Sequence, residues 1–192
     1  MVNNIGSPYI SHARATMLRK AQEANADVIV FIDHDLSWRP EDLLKLIETE
    51  GEVVAGTYRF KKEPEEYMGA LIPDINGFPQ VREDGCLLAH SIPGGFLKIT
   101  KAGVSRFMYH FPELQYIEKD TLTVDLFNHG VHKGVWYSED YAFARNWNER
   151  CGKIWLIPDL NLTHHTETVG YPGNFSLYLR KQEGGDLHLR AA

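Results

Sequence analysis

Two carboxylates and a histidine follow the most apolar segment of the chain. Asp33, His34 and Asp35 come directly after Val28–Ile32, a β-branched and aromatic run that is typical of a buried strand. Carboxylates two residues apart, where a chain leaves a strand, can face one cation, and Mg²⁺ and Mn²⁺ prefer oxygen ligands. A solvated acidic turn is the alternative, but two charges at the end of a buried strand favour a counter-ion.

A second acidic pair, Glu139 and Asp140, follows Ser138 at the predicted start of a helix. Carboxylates are stabilised near helix N-termini, so capping by itself explains the pair. A carboxylate in this position could also act as a general base towards a hydroxyl group. Taken alone, the triplet favours capping and leaves the catalytic interpretation open.

Histidines and glycines supply two further candidates. His164 and His165 end a strand-like segment, and neighbouring residues on a strand point to opposite faces, so at most one can share a site with the aspartates. A neutral imidazole could complete a Mn²⁺ coordination sphere, although a lone histidine is more often structural. Gly94 and Gly95 form either an ordinary turn or one that lets the backbone approach a ligand.

The elements that must position these residues alternate as in an α/β fold. A small-residue helix containing Arg14 precedes the apolar strand, and a helix opened by Pro40 separates that strand from Val53–Tyr58. Strand, helix and strand in this order favour a βαβ unit. The length of 192 residues predicts one domain over residues 1–182, followed by a flexible tail at 183–192.

Composition excludes several classes of protein. The net charge of −6 argues against a nucleic-acid partner, because phosphate binding requires a basic surface. The longest apolar run has five residues, whereas a transmembrane segment needs ~20. The first residues lack the basic start and apolar core of a signal peptide, and Cys86 and Cys151 do not make a disulfide framework. A cytoplasmic location is therefore the expectation.

The order of these motifs resembles the GT-A glycosyltransferases, in particular the family 2-like group. The best-matched segments are residues 13–46, 94–100 and 136–165, and the most specific stretch runs from Trp136 through the acidic pair to the histidines. The resemblance implies a GT-A-like, Rossmann-like mixed sheet, mostly parallel and flanked by helices. It also implies metal-dependent transfer of a sugar from a nucleoside diphosphate sugar, most commonly a uridine diphosphate sugar, to a hydroxyl group of a glycan, lipid or small molecule.

The resemblance assigns roles to individual residues. Asp33 and Asp35 would hold Mn²⁺ or Mg²⁺ together with His164, with His165 as the second choice. Asp140 would be the catalytic base of an inverting reaction, with Glu139 beside it, although retention of configuration stays open. The implied nucleotide contacts are Asp33, His34, Arg14, Lys61 and Lys62, and the implied contacts to the donor sugar and acceptor are Gly94, Gly95 and Trp136.

The chain departs from the family pattern at its N-terminus. Family members usually have a strand–helix–strand unit, which holds the base and ribose, ahead of the small-residue helix. The sequence is expected to be shortened by that unit, which puts nucleobase recognition in question and leaves one sheet edge unpaired. A homo-oligomer formed through this edge is therefore a hypothesis.

Two other functions remain as alternatives. A truncated relic could bind a sugar, a nucleotide or a partner without turnover. The strand that ends in Asp33 and Asp35 is also similar to the start of the haloacid-dehalogenase-like phosphatases, with Ser37 where those enzymes have Thr or Val. In that interpretation Glu139 and Asp140 would be the later acidic pair.

Overall fold

The computed structural model describes residues 9–183 of the chain, so the predicted tail at 183–192 lies outside the described residues except for Glu183. Within this range, every helix is too short or too polar to span a bilayer. The helices are α1 (Ile10–Glu23), α2 (Pro40–Glu48), α3 (Lys101–His110), α4 (Glu139–Asn146) and α5 (Phe175–Glu183). The strands are β1 (Val28–Ile32), β2 (Leu36–Ser37), β3 (Val53–Gly56), β4 (Ala70–Leu71), β5 (Leu87–Ser91), β6 (Phe96–Thr100), β7 (Gln115–Glu118), β8 (Thr121–Val124), β9 (Gly130–His132), β10 (Val135–Tyr137), β11 (Ile154–Ile157), β12 (Leu162–His165) and β13 (Gly170–Gly173).

A mixed central sheet organises the molecule, with its strands in the order β1-β6-β3-β11-β5-β4. Strands β1, β3, β11 and β4 run in one direction, and β6 and β5 run in the other. The predicted mixed α/β sheet flanked by helices is therefore confirmed. The expectation of a mostly parallel sheet is correct for strand direction, since four of the six strands run the same way. It is wrong for pairing, because β3 and β11 are the one pair of parallel neighbours within residues 9–183.

The side chains of the sheet alternate between two apolar cores. On one face, Phe31 and Ala55 pack with Leu18 of α1, Phe107 of α3 and Phe143 of α4. On the other face, the second core contains Leu46 of α2. The helices on both faces bury the sheet and hold the carboxyl ends of β1, β3 and β11 at the same edge.

Strand β1 is less buried than its sequence predicts. Ile29 and Phe31 are buried, but Val28 is 36% exposed, and Val30 and Ile32 are half-buried. The prediction of a strand buried on both faces is wrong for these three residues, because β1 is the outermost strand and pairs only with β6 among residues 9–183.

A smaller three-stranded sheet, in the order β13-β12-β2, extends the edge at which β1 ends. Its register pairs Thr163 with Ser37 and His164 with Leu36. The backbone N–H of His165 also donates to the carbonyl of Asp35 over 2.8 Å. This pairing carries β12 alongside the turn after β1 and so sets the position of its histidines.

Residues 112–135, for which the sequence predicts a long loop or an irregular hairpin, contain two hairpins. The β7–β8 and β9–β10 hairpins are each antiparallel and lie outside the central sheet. Leu126 and Phe127, between the two hairpins, are buried in the first core. This segment therefore anchors the hairpins, and β10 leads through Ser138 directly into α4.

Candidate active site

Arg14 joins the two acidic motifs of the sequence. Its Nη2 donates to Oδ1 of Asp33 over 3.1 Å, and its Nη1 donates to Oδ1 of Asp140 and lies 3.7 Å from Oε1 of Glu139. The side chain of Arg14 is 3% exposed. Burial alone would lower the pKa of Arg14, but the charges of Asp140 and Asp33 outweigh it and raise this pKa. A permanently charged guanidinium thus binds carboxylates that are far apart in the sequence.

The surroundings of Arg14 explain its position. Its guanidinium lies over the ring of Phe127, 4.7 Å from the ring centroid, and Phe127 packs edge-on against Phe31 of β1. Ala15, the next residue on α1, is 3% exposed and allows the helix to approach the sheet closely. The structure makes Arg14 an internal counter-ion of the carboxylates, and its predicted contact with a nucleotide stays a prediction.

Gly94 and Gly95 form the floor of the cluster. A Cβ atom on Gly94 would overlap Oδ1 of Asp140 and the guanidinium of Arg14. A Cβ atom on Gly95 would overlap the hydroxyl of Tyr58 and Oδ2 of Asp33. The carbonyl of Gly95 also accepts from the backbone N–H of Asp33 over 2.9 Å. Glycine is required here because the carboxylates occupy the space of a side chain.

Asp35 faces a different set of partners. Its Oδ2 accepts a hydrogen bond from Nζ of Lys61 at 2.5 Å and lies 3.3 Å from Nε2 of His164. Burial alone would raise the pKa of Asp35, but the hydrogen bond from Lys61 and the nearby His164 lower it below its usual value. The two aspartates of the Asp-x-Asp motif therefore have separate cations, Arg14 for Asp33 and Lys61 for Asp35.

The ring of His164 lies between a backbone carbonyl and Asp35. Its Nδ1 lies 2.8 Å from the carbonyl oxygen of Arg59, and a carbonyl only accepts, so Nδ1 carries the hydrogen. In the neutral ring Nε2 then has no hydrogen and faces a carboxylate oxygen, an arrangement that repels unless a cation joins the two groups. A histidine fixed by a backbone carbonyl in this way is typical of metal ligands.

Asp35 and His164 therefore fit a divalent cation as two protein ligands. Among residues 9–183 no group of three or more His, Cys, Asp and Glu side chains is arranged to hold a metal ion. Mg²⁺ sites commonly use one or two protein carboxylates and take their remaining ligands from substrate phosphates and water. Asp33 is engaged by Arg14 through both carboxylate oxygens, at 3.1 and 3.4 Å.

Several other predicted site residues point elsewhere. Nε2 of His165 lies 2.7 Å from Oγ of Ser37, on the opposite face of β12 from His164. Lys62 pairs with Glu66 at 2.5 Å, whereas the neighbouring Lys61 reaches Asp35. His34, between the two aspartates, is exposed. The structure thus brings His164 and Lys61, rather than His165 and Lys62, to the aspartates.

A cavity of about 260 Å³ opens beside the acidic pair of α4. Its lining includes Glu139, Ser138, His129 and Trp136, and Trp136 is 66% exposed on β10. The polar edge formed by Glu139 and the apolar ring of Trp136 are the combination that ligand pockets use to fix orientation and supply contact area. Trp136, which the sequence predicts near the acceptor, therefore lies on the Glu139 side of the cluster.

Tyr58 and Arg59 belong to the site but were not predicted. The ring of Tyr58 packs edge-on against His164 with 4.9 Å between centroids, and its hydroxyl faces Gly95. Burial and the charge of Asp33 raise the pKa of Tyr58 above its usual range. Arg59 contributes its carbonyl to His164. Both follow β3, which runs in the same direction as β1, so their place at the same edge is the signal that could have identified them.

Comparison with known proteins supports the resemblance to a family. Residues 10–102 match the family model described as "Glycosyl transferase family 2". These residues are therefore similar to glycosyl transferase family 2. The match includes Arg14, the Asp-x-Asp motif, Lys61 and the Gly-Gly turn, and it confirms the resemblance seen in the sequence. Asp140 and His164 lie beyond the matched residues and join the family 2 motif through the contacts described above.

One solved structure is similar to this chain at low sequence identity. The crystal structure of A197 from STIV has a TM-score of 0.49 and 14% sequence identity, over 88% of this chain and 78% of that chain. A search of the curated proteins finds no match.

Proposed function

We propose that this protein transfers a sugar from a nucleoside diphosphate sugar to a hydroxyl acceptor, with a divalent cation and with inversion at the anomeric carbon. The observation that carries the proposal is one continuous cluster, in which Arg14 binds both Asp33 and Asp140 while Asp35 faces His164. Tyr58 links the two parts, because its ring packs against His164 and its hydroxyl lies beside Gly95, as does Oδ2 of Asp33. The family 2 match supports glycosyl transfer as the reaction class.

Asp35 and His164 would hold Mn²⁺ or Mg²⁺, and the diphosphate of the donor would supply further oxygen ligands. Such an ion supplies Lewis-acid stabilisation of the charge that grows on a diphosphate leaving group. Lys61 lies at the same carboxylate and would contact the diphosphate. Uridine diphosphate sugars are the first donors to test, because they are the commonest donors among the proteins that the chain resembles.

Asp140 would accept the proton of the acceptor hydroxyl. Arg14 fixes its carboxylate, which is 20% exposed and so remains accessible to a substrate. The acceptor oxygen would form a bond to the anomeric carbon as the bond to the leaving diphosphate breaks. Its proton would pass to Asp140, which must lie within ~3 Å of that hydroxyl. Glu139 and Trp136 would orient the acceptor in the adjoining cavity.

Thermal unfolding with Mn²⁺ and a panel of nucleoside diphosphates tests the donor site. A ligand at 100 times its Kd stabilises a fold by ~2.7 kcal/mol, which raises the melting temperature by several degrees for a chain of this size. We expect a Mn²⁺-dependent shift with one nucleotide in the wild type and its loss in Asp35→Ala. Asp159→Ala is the matched control, because Asp159 pairs with Lys45 on an exposed surface.

Transfer itself is tested with the variant Asp140→Asn. This variant should keep the nucleotide-dependent shift and lose turnover of the donor sugar, because it keeps the shape of the side chain but cannot take a proton. A shift without any turnover in the wild type would instead support the non-catalytic alternative. The absence of a shift with every nucleotide would contradict the proposed donor site.

A further inference from the structure

The charges of the candidate site do not balance. Arg14 and Lys61 supply two positive charges, and His164 adds a third when its ring is protonated. Four carboxylates meet these cations, those of Asp33, Asp35, Glu139 and Asp140. The carboxylates are only 20–30% exposed, so water compensates their charge incompletely. In either form of His164, negative charge remains that a bound cation would compensate.

The two resident cations are held very differently. Arg14 is 3% exposed, binds two aspartates and lies over an aromatic ring. Lys61 is 32% exposed and has Asp35 as its recorded ion-pair partner. Lys61 also begins an exposed stretch, residues 61–64, between β3 and β4. Lysine is a compact charge on a flexible stem, so Lys61 can leave its partner while Arg14 cannot.

Lys61 occupies the atom that a metal ion would need. Its Nζ lies on Oδ2 of Asp35, which is the same oxygen that faces Nε2 of His164. A cation shared by that oxygen and that nitrogen would compete with the ammonium group for the carboxylate, and the two positive charges would repel each other. Binding of the ion at Asp35 therefore requires Lys61 to move.

We propose that Lys61 is a displaceable counter-ion, which neutralises Asp35 in the free protein, yields Oδ2 to the divalent cation and then pairs with the donor diphosphate. The inference rests on the proposed donor site and deepens it. The released ammonium group could then pair with the diphosphate, because an ion at Asp35 would draw the diphosphate towards the same carboxylate. Lys61 thereby weakens binding of the ion alone and strengthens binding of the nucleotide with the ion.

Removal of Lys61 should therefore change two affinities in opposite directions. In Lys61→Ala without nucleotide, the dissociation constant of Mn²⁺ should fall by at least about threefold, which is the scale of a partly exposed ion pair. In saturating Mn²⁺, the dissociation constant of the nucleoside diphosphate should rise by at least about threefold. A residue that only stabilises the loop would not produce opposite effects.

The experiment uses the full chain, with free Mn²⁺ followed by electron paramagnetic resonance and uridine diphosphate binding followed by calorimetry. Lys45→Ala is the control for net charge, because it removes one positive charge from an exposed pair with Asp159 of similar length, 2.6 Å. Lys45→Ala should leave both dissociation constants within about twofold of the wild type, since surface pairs far from a site have small effects. Thermal unfolding of each variant checks that the fold is retained.

The outcomes separate this inference from the proposed function. Tighter Mn²⁺ binding and weaker nucleotide binding in Lys61→Ala alone would support the displaceable counter-ion. If Asp35→Ala abolishes Mn²⁺ binding but Lys61→Ala behaves like Lys45→Ala, the donor site stands and the inference is overturned. Tighter Mn²⁺ binding with unchanged nucleotide binding would overturn the transfer of Lys61 to the diphosphate. If neither the wild type nor Lys61→Ala binds Mn²⁺, the cation-dependent function fails as well.

Discussion

Arg14 is the buried residue that connects the two acidic motifs of the candidate site. Arg14 lies on α1, which is separate in sequence from both acidic motifs. Its buried guanidinium nevertheless binds Asp33 and Asp140. A planar fork with five donors suits this task, because it can bind two carboxylates in fixed directions. Without Arg14, the two carboxylates would repel each other in partly buried surroundings.

Arg14→Ala should destabilise the protein strongly. Removal of one partner from a buried ion pair costs about 3 kcal/mol or more, because the remaining charges are left unpaired. For a chain of this size that corresponds to a fall in melting temperature of roughly 6–12 °C. Urea titration and thermal unfolding of the purified variant measure both quantities.

The matched control is Arg106→Ala. Arg106 forms a two-pronged pair with Glu52, at 2.7 and 3.1 Å, but is 48% exposed. Exposed pairs contribute ~0–1 kcal/mol, so the melting temperature of this variant should be close to that of the wild type. Equal losses of stability in the two variants would show that burial of Arg14 does not have the consequence argued here.

The sequence identifies the residues that act through distinctive side chains better than those that act through the backbone. Asp33, Asp35 and Asp140 carry recognisable motifs, and the structure places all of them at one edge of the sheet. Arg59 acts through its carbonyl on His164, and every residue has a carbonyl. The residue type of Arg59 therefore carries no signal, and only its position after β3 indicates that it lies at this edge.

At the scale of elements, α2 and β6 are joined by a buried lysine. Lys98 is 2% exposed on β6, and its Nζ donates to the carbonyls of Ile47, at 3.3 Å, and of Thr49. These carbonyls belong to the C-terminal end of α2, where the helix lacks internal partners and favours positive charge. The lysine thus fixes the helix to the sheet, at the expense of removing an ammonium group from water.

This arrangement predicts a pH dependence of stability. Burial, aided by the charge of Arg82, lowers the pKa of Lys98 below its usual 10.5. Below the lowered pKa both folded and unfolded chains are charged, and the full cost of burying the charge applies. As the pH rises from the lowered pKa to 10.5, the unfolded chain binds more protons than the folded one, so stability increases.

The variant Lys98→Met isolates this contribution. Methionine has a similar length without the charge, and comparison of the two proteins removes the effects of other groups that titrate in alkaline solution. The free energy of unfolding of the wild type should rise relative to that of the variant between neutral pH and pH 10.5. Urea titrations at several pH values measure the free energy of unfolding of both proteins. The same pH dependence in the two proteins would contradict the role assigned to Lys98.

Helices with local signals were predictable, and the neighbours of the strands were not. Threonine is a common residue at helix N-caps, and Oγ1 of Thr100 accepts from the backbone N–H of Gly103 over 3.0 Å at the start of α3. Helix α4 begins at Glu139, as the Ser-Glu-Asp pattern predicted. In contrast, β6 lies antiparallel between β1 and β3, a long-range arrangement that no local pattern encodes. The predicted βαβ unit therefore gave the correct directions of β1 and β3 but did not include β6, which lies between them.

For the whole molecule, the outer edge of β1 is the feature most open to association. The backbone N–H of Asp33 and the backbone carbonyl of Asp27 form hydrogen bonds towards β6. Because hydrogen-bonding direction alternates along an antiparallel strand, the backbone groups of Val28, Val30 and Ile32 point outwards. No strand of residues 9–183 pairs with this edge. A free edge is a template for pairing with another chain, and this supports the hypothesis of a homo-oligomer.

We predict weak, salt-strengthened self-association through this edge. Pairing of one short strand buries less than the ~1,000 Å² of a stable interface, so the affinity should be micromolar or weaker. Each chain carries a net charge of −6, so added salt should screen the repulsion and strengthen the dimer. Val28→Lys places a charge on the edge and should shift the protein to monomer. Val81→Lys should not, because Val81 is 64% exposed and bridges to β5 rather than lying on β1. Sedimentation velocity across a concentration series in low and high salt measures this, and a monomer under every condition would refute it.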